Sequence, residues 1–364
     1  MNAPALRPVR IRPVLIMAGG TGGHIFPGIA VAQELLARGV PVLWLGSAGG
    51  LETRLIPQAG LPIETLAISG VRGKGLFAAL MAPLRILRAL IAAWKILGRA
   101  QPRSALALGG FASGPGGIAA WLRGVPLVVH EQNRVPGVTN RILSHFAKKL
   151  LCGFEGALKR AEWVGNPVRR EIAALAIPRE RFVERTGSSR LLVLGGSQGA
   201  RALNVRVPEA LALMSPDRRP TVRHQCGAKL ADAARAAYAN AKVEASVEPF
   251  IDDMAAAYAW ADLVVCRAGA LTLAELAAAG VGSVLVPFPF AVDDHQTKNA
   301  SAMLAAGGAV LLPEAQASAE RIAAALTDLL GDRAHLLAMA EAARTLAKPD
   351  AAARIADVCL QVAA

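Results

Sequence analysis

The stretch Val14–Pro27, VLIMAGGTGGHIFP, decides how the chain is read. Val14–Met17 have the character of a buried strand and run into Gly19, Gly20, Gly22 and Gly23, then His24 and a helix start. Glycine suits a turn with positive φ angles and lets another molecule approach the backbone closely. Such a loop presents its amides, and the N-terminus of the helix behind it, to an anion or a polar ligand. His24 stands at the rim, where an imidazole takes a proton from a substrate hydroxyl near neutral pH. A tight strand-to-helix turn with a capping histidine is the plainer account of the same residues.

The layout recurs along the chain. Ala105–Leu108 reads as a strand feeding GGFASGPGG (Gly109–Gly117), Pro126–His130 as one ending in HEQN (His130–Asn133), and Arg190–Leu194 as one entering GGSQGAR (Gly195–Arg201). Further strands are expected at Pro41–Leu45, Ile63–Ala67, Thr221–Gln225, Val243–Val247, Leu263–Cys266 and Ser283–Val286, alternating with helices of which the first is Gly28–Arg38. Ala317–Ala364 reads as two or three helices with no strand. This alternation predicts an α/β protein with doubly wound parallel sheets. The pattern restarts near Gly165, in VGNPVRRE (Val164–Glu171), so the 364 residues are expected to form two halves of similar build.

Lys and Arg exceed Asp and Glu by 40 to 27, a net charge of +13. The surplus favours an anionic partner, whether nucleic acid, an acidic membrane surface or a phosphorylated substrate. No Asp or Glu occurs from Thr65 to His130, whereas Arg72, Lys74, Arg85, Arg88, Lys95, Arg99, Arg103 and Arg123 all do. Within that window Leu76–Leu97, LFAALMAPLRILRALIAAWKIL, is the most apolar run, interrupted by Pro83, Arg85, Arg88 and Lys95. On a helical wheel Leu76, Leu80, Leu84, Leu87, Leu90, Ile91 and Trp94 share an arc with the cations beside it. That pattern fits a helix lying in a membrane interface and also a core helix packed on a sheet, and the acid-free window tips the region toward a membrane-facing surface. A nucleic-acid-binding reading is disfavoured, because only 4% of residues are aromatic and the charge gathers beside an apolar helix. Cys152, Cys226, Cys266 and Cys359 are far apart, with no CxxC pair, and read as buried reduced thiols rather than a zinc site. The basic leader Met1–Pro13 lacks the apolar core of an export signal.

GGSQGA is the best phosphate cradle, with Ser197, Gln198 and Gly199 at a helix start and Arg169 as a cation beside it; Arg169 is otherwise free to pair with Glu171. No GxGxxG or GxxxxGK[ST] occurs, and no Asp-x-Asp pair, so no metal or cofactor is expected. CRAGALTLAE (Cys266–Glu275) places Glu275 one turn into a helix, where a carboxylate either accepts both hydroxyls of a ribose or stabilises the helix N-terminus. DDHQTKNA (Asp293–Ala300) sets Gln296 and Asn299 on one face, and amides offer a donor and an acceptor to sugar hydroxyls.

Taken in order, GGTGGHIFP, GGFASGPGG, HEQN, GNPVR, GGSQGAR, FIDDMAAAYAWADLVVCRAGALT and DDHQTKNA resemble the MurG family of peptidoglycan glycosyltransferases, over Gly19–Ala300 and plausibly to the end. The resemblance implies the GT-B fold: two Rossmann-like domains facing a cleft, here 1–165 for acceptor and membrane and 166–348 for the donor, with the terminal helix, 349–364, crossing back to the first. It implies an inverting transfer of N-acetylglucosamine from UDP-N-acetylglucosamine to the 4-hydroxyl of a lipid-linked N-acetylmuramyl-pentapeptide, lipid I to lipid II. His24 would be the base. Thr21, Gly22, Gly23 and Asn133 would serve acceptor and donor alike. On the donor side, Arg169 and Ser197 would lie by the diphosphate, Phe250 and Ile251 by the uracil, and Leu271 and Thr272 near the phosphates. Glu275 would take the ribose, and Gln296 and Asn299 the sugar. The implied location is peripheral, on the cytoplasmic face of the inner membrane, held through the basic and apolar region 72–103. Ala268 stands where the family usually has Ser, so a hydroxyl contact is absent there. The rival enzyme reading is an inverting GT-B transferase with another lipid acceptor, such as diacylglycerol.

Overall fold

In the structure, a computed structural model that describes residues 11–68, 81–183, 185–196, 199–291 and 294–363, the chain divides into two compact units. The first comprises 1–132, 136–164 and 352–364, and the second 133–135 and 165–351.

The first unit is built on seven parallel strands: β1 (Val14–Ala18), β2 (Val42–Ser47), β3 (Ile63–Leu66), β4 (Ser104–Gly109), β5 (Leu127–Glu131), β6 (Lys149–Cys152) and β7 (Glu162–Trp163), in the order β3-β2-β1-β4-β5-β6-β7. Val14, Ile16 and Ala18 face one buried layer and Leu15 and Met17 the other. A strand covered on both faces reads as an unbroken apolar run, which is why β1 was legible. One layer is closed by the helices Gly22–Ala37 and Glu52–Gln58 and by the C-terminal helix Ala351–Gln361, whose Ile355 and Cys359 are fully buried. Ser104 Oγ donates to Cys359 O (2.7 Å) and ties that helix to β4.

The second unit repeats the plan with six parallel strands, β8 (Arg190–Leu194), β9 (Thr221–Gln225), β10 (Ser246–Glu248), β11 (Leu263–Cys266), β12 (Gly282–Leu285) and β13 (Ala309–Leu311), ordered β10-β9-β8-β11-β12-β13. The strand expected at Val243–Val247 is corrected to Ser246–Glu248. Val243 instead closes the helix Ala231–Ala241, donating its N–H to Tyr238 O after Lys242 turns left-handed (φ 53°).

In each sheet the strand order reverses once, between β1 and β4 and between β8 and β11. Open α/β sheets bind ligands beyond the strand C-termini at such a switch point. GGTGGH follows β1, GGFASGPGG follows β4, GGSQGAR follows β8 and RAGALT follows β11. The four loops singled out in the sequence therefore occupy the two switch points.

The Leu76–Leu97 run is described from residue 81, and its helix spans Ala82–Ala100 with Pro83 in the first turn, where proline is tolerated. Ala89, Ala93, Ile96 and Leu97 form its buried seam, whereas Leu84, Leu87, Ile91 and Trp94 are exposed. Four residues of the arc read from the sequence thus face away from the core, Leu90 packs against it, and Leu76 and Leu80 lie outside the described residues. Among the described residues no helix is long and apolar enough to cross a membrane.

Behind the second sheet Arg185 forms a buried ion pair with Asp262 and also donates to Ala261 O (2.8 Å) and Ala259 O (2.5 Å), while Asp262 Oδ2 accepts from Arg190 N (2.8 Å). Removing one member strands a charge in the interior. Arg185→Ala is expected to cost about 3–5 kcal/mol in denaturant unfolding, against under about 1 kcal/mol for Arg179→Ala at an exposed pair; equal losses would contradict this account of the core.

Candidate functional site

The helix after β1 begins at Gly22, not at Gly28, so His24 lies in its first turn. Pro27 removes one intrahelical bond, but Ile25, Ala30, Val31, Ala32 and Leu35 bury a continuous face that carries the helix through it. His24 Nδ1 lies 3.2 Å from Gly19 O. A carbonyl can only accept, so the proton sits on Nδ1 and the lone pair on Nε2. Nε2 points to the loop after β4, where a Cβ on Gly109 would stand 3.0 Å from it. Burial lowers the pKa of His24, and the nearby charges of Glu131 and Glu52 together with the Gly19 bond oppose it. The downward direction favours the neutral ring, with its lone pair on Nε2.

The two loops touch main chain to main chain. Gly110 has φ +90°, and a Cβ there would lie 2.4 Å from Gly19 O. Buried Ser113 locks the contact, its hydroxyl lying 2.8 Å from Met17 O and 2.7 Å from Gly109 O. Thr21, at the N-cap, makes no capping bond through its side chain, and the first turn holds no acid, so the amides of Gly22 and Gly23 face outward at an electropositive helix end.

In the second unit Gly195 N donates to Gln225 O (2.9 Å), and Gly199 (φ +76°) packs so tightly that a Cβ would lie 2.2 Å from Cys226 O. Ser197 and Gln198 lie outside the described residues. The helix Arg201–Leu213 and the helix Ala270–Ala279, which carries Leu271 and Thr272 in its first turn, start without a side-chain cap or an acid. Three other helices of the unit are capped, by Asp253, Ser318 and Asp332, whereas Ala231–Ala241 and His295–Ala305 also lack a side-chain cap.

Glu275 is buried, and its partners differ from those open in the sequence. Arg169 pairs with Glu275 rather than Glu171, Nη2 donating to Oε1 (3.0 Å), and Tyr258 Oη donates to Oε2 (3.1 Å). Burial pushes the Glu275 carboxyl up, and Arg169 and Tyr258 pull it back. Phe250 is exposed; Ile251 is buried and donates its N–H to Gln225 Oε1 (3.3 Å). Gln296 Oε1 accepts from Phe288 N (2.9 Å). Asn299 is buried and bonds Arg134 N through Oδ1 (2.9 Å) and Asn133 Oδ1 through Nδ2 (3.3 Å), residues 133–135 grouping with this unit. Sequence reasoning missed Tyr258, Gln225, Ser113 and Glu52. Each lies inside an ordinary-looking strand end or helix, and only its partners mark it.

A second surface belongs to the first unit. Leu84, Leu87, Ile91 and Trp94 are joined in exposure by Trp121 and Leu122 at the end of the helix Ser113–Leu122, and the Arg123 guanidinium lies 4.2 Å over the Trp94 ring. Arg85, Arg88 and Lys95 are exposed on the same long helix.

Two parallel-sheet units, each with glycine-rich loops at its switch point, are the framework of a two-domain glycosyltransferase. The chain matches the glycosyltransferase family 28 N-terminal domain over residues 14–152 and its C-terminal domain over 190–355, and it belongs to that family. It is 63% identical over 363 residues, all of this chain and 85% of the relative, to the UDP-N-acetylglucosamine–N-acetylmuramyl-(pentapeptide) pyrophosphoryl-undecaprenol N-acetylglucosamine transferase of Xanthomonas campestris pv. campestris strain 8004. The transferase of that name from Xylella fastidiosa strain M12 is 59% identical over 96% of both chains. The crystal structure of Acinetobacter baumannii MurG superposes with a TM-score of 0.81 at 38% identity, covering 96% of this chain and 99% of that one.

Gly110→Ala puts a side chain both into a left-handed backbone and against a carbonyl. It is expected to lower unfolding stability by at least about 1 kcal/mol and to weaken turnover, measured by urea melts and transfer assays; a neutral substitution would refute the loop packing.

Proposed function

We propose that this chain transfers N-acetylglucosamine from UDP-N-acetylglucosamine to the 4-hydroxyl of the lipid-linked N-acetylmuramyl-pentapeptide, inverting the anomeric centre. The observation that carries the mechanism is the bond from His24 Nδ1 to Gly19 O, which leaves Nε2 free to accept a proton. As the acceptor oxygen attacks C1 of the sugar, its proton passes to Nε2, the bond from C1 to the phosphate oxygen breaks, and UDP departs. Acceptor groups fall to Thr21, Gly22, Gly23 and Asn133.

Negative charge grows on the leaving diphosphate. Main-chain amides at the starts of the helices Arg201–Leu213 and Ala270–Ala279, with Ser197, Leu271, Thr272 and Arg169, meet that charge without reorganisation. Each oxygen of Glu275 keeps acceptor capacity beyond its bond to Arg169 or Tyr258, which suits the two hydroxyls of a ribose. Phe250 and the Ile251 main chain flank the uracil, and Gln296 and Asn299 read the sugar.

A water-soluble donor and a membrane-tethered acceptor call for an enzyme held at the surface facing the nucleotide pool. The exposed Leu84, Leu87, Ile91, Trp94 and Trp121 with their neighbouring cations suit an anionic bilayer, on the cytoplasmic face of the inner membrane.

Transfer of labelled N-acetylglucosamine to a lipid I analogue, with diacylglycerol as the competing acceptor, tests the reaction; product on diacylglycerol alone would reassign the acceptor. His24→Ala is expected to cut turnover about a hundred- to ten-thousandfold with donor binding nearly intact, and unchanged turnover would remove His24 from the role. Leu87→Glu with Ile91→Glu is expected to abolish salt-sensitive binding to phosphatidylglycerol vesicles, and full retention would move the membrane surface elsewhere.

A further inference from the structure

Glu52 is completely buried at the start of the helix Glu52–Gln58, and both of its hydrogen-bond donors are main-chain amides: Ser47 N to Oε1 (2.8 Å) and Gly20 N to Oε2 (3.2 Å). The chain makes room for it by omitting side chains. A Cβ on Gly19 would stand 2.2 Å from Oε1, on Gly46 2.6 Å from Cγ, and on Gly50 2.3 Å from Oε2. Closing the turn after β2 accounts for the bond to Ser47, but not for a carboxylate reaching across to the middle of the loop after β1.

The Gly20 N–H and the Gly19 C=O belong to one planar peptide unit, so fixing one end aims the other. Glu52 holds the N–H, and the carbonyl on the opposite edge accepts from His24 Nδ1. Flanked by two glycines, this peptide has little of its own to stop it flipping. A flipped unit would present an N–H to Nδ1, drive the proton to Nε2 and fill the lone pair the reaction needs. The carboxyl acceptor on the N–H also polarises the peptide, which strengthens the second bond in the chain.

We propose that Glu52 is a positioning residue of the transfer reaction, selecting the Nδ1–H tautomer of His24 through the Gly19–Gly20 peptide. It does for this histidine what a buried aspartate does for the base of a hydrolase triad, with a peptide interposed. The inference rests on His24 being the base.

The test compares wild type, Glu52→Gln, Gly46→Ala and His24→Ala in the full chain. Glu52→Gln keeps the volume but turns an amide donor toward one of the two main-chain donors. Gly46→Ala crowds Cγ and displaces the intact carboxylate. In ¹⁵N-histidine spectra the wild-type His24 ring is expected to be protonated at Nδ1, and both variants to gain the Nε2–H form. Their kcat should fall about tenfold or more, within the roughly ten-thousandfold range for loss of the base itself, with KM for the nucleotide sugar little changed. Two carboxylates, Glu52 from its helix and Glu131 from β5, support the basicity of His24 against burial. Glu52→Gln should therefore move the acid limb of kcat/KM to lower pH. A merely structural role would change neither tautomer nor pH limb.

If the variants do not fold, hydrogen exchange on the wild type decides: the Gly20 amide, on an exposed residue, should exchange slowly, and free exchange would overturn the proposal. An unchanged tautomer and kcat in folded Glu52→Gln would also overturn it while leaving His24 in place. Unchanged turnover in His24→Ala would instead defeat the underlying reading.

Discussion

Main chain packed on main chain is the constraint from which the first unit's site follows. Gly110 approaches the Gly19 carbonyl more closely than any side chain permits, and Ser113 joins the ends of β1 and β4 beneath it. The packed loops hold the segment in place, and the Glu52 carboxylate on the Gly20 amide keeps the Gly19 carbonyl turned toward His24 Nδ1. The adjoining helix begins in the same loop with no side chain spent on its amides. In the proposed mechanism one short segment thus supplies both the base and the helix-start amides, which accounts for four glycines in five residues better than turn formation alone does.

In the proposed reaction the second unit meets a different electrostatic demand with the same topology. A leaving diphosphate needs positive potential that is already in place, and helix N-termini supply it when nothing of the protein's own occupies them. The helices starting after β8 and β11 carry no side-chain cap and no acid in their first turn. Glu275 lies one turn deeper, buried between Arg169 and Tyr258, where its carboxylate is held in one rotamer and keeps lone pairs to offer.

Much of this was readable in the chain. β8, β9 and β11 fall on the residues expected, because strands covered on both faces announce themselves as apolar runs ending in glycine or polar residues. Short strands did not: β6, β7 and β13 are too brief to establish a period, and Val243 imitated a strand while closing a helix. The start of the first helix was obscured because Gly22, Gly23 and Pro27 look like breakers when tertiary burial is unseen. The apolar arc of the long basic helix was legible, and the acid-free window pointed it outward, where Leu84, Leu87, Ile91 and Trp94 lie, while Ala89, Ala93, Ile96 and Leu97 make the buried seam. Among six histidines only His24 was given a proton-transfer role, marked by its glycines, while His130 was noted within HEQN. His224, held by Tyr238 and Asn204 and pushed down to about 3 by burial, is a neutral core residue. Partners such as Tyr258 and Glu52 escaped because a buried polar side chain shows its purpose only through what it touches.

Hydrogen exchange with and without UDP-N-acetylglucosamine tests the division of labour most directly. Slowed amide exchange is expected in residues 195–201 and 269–272 and around Phe250 and Ile251, where the nucleotide would lie against the helix starts of the second unit. Slowing confined to residues 19–24 and 109–117 would place the nucleotide on the first unit and contradict the account.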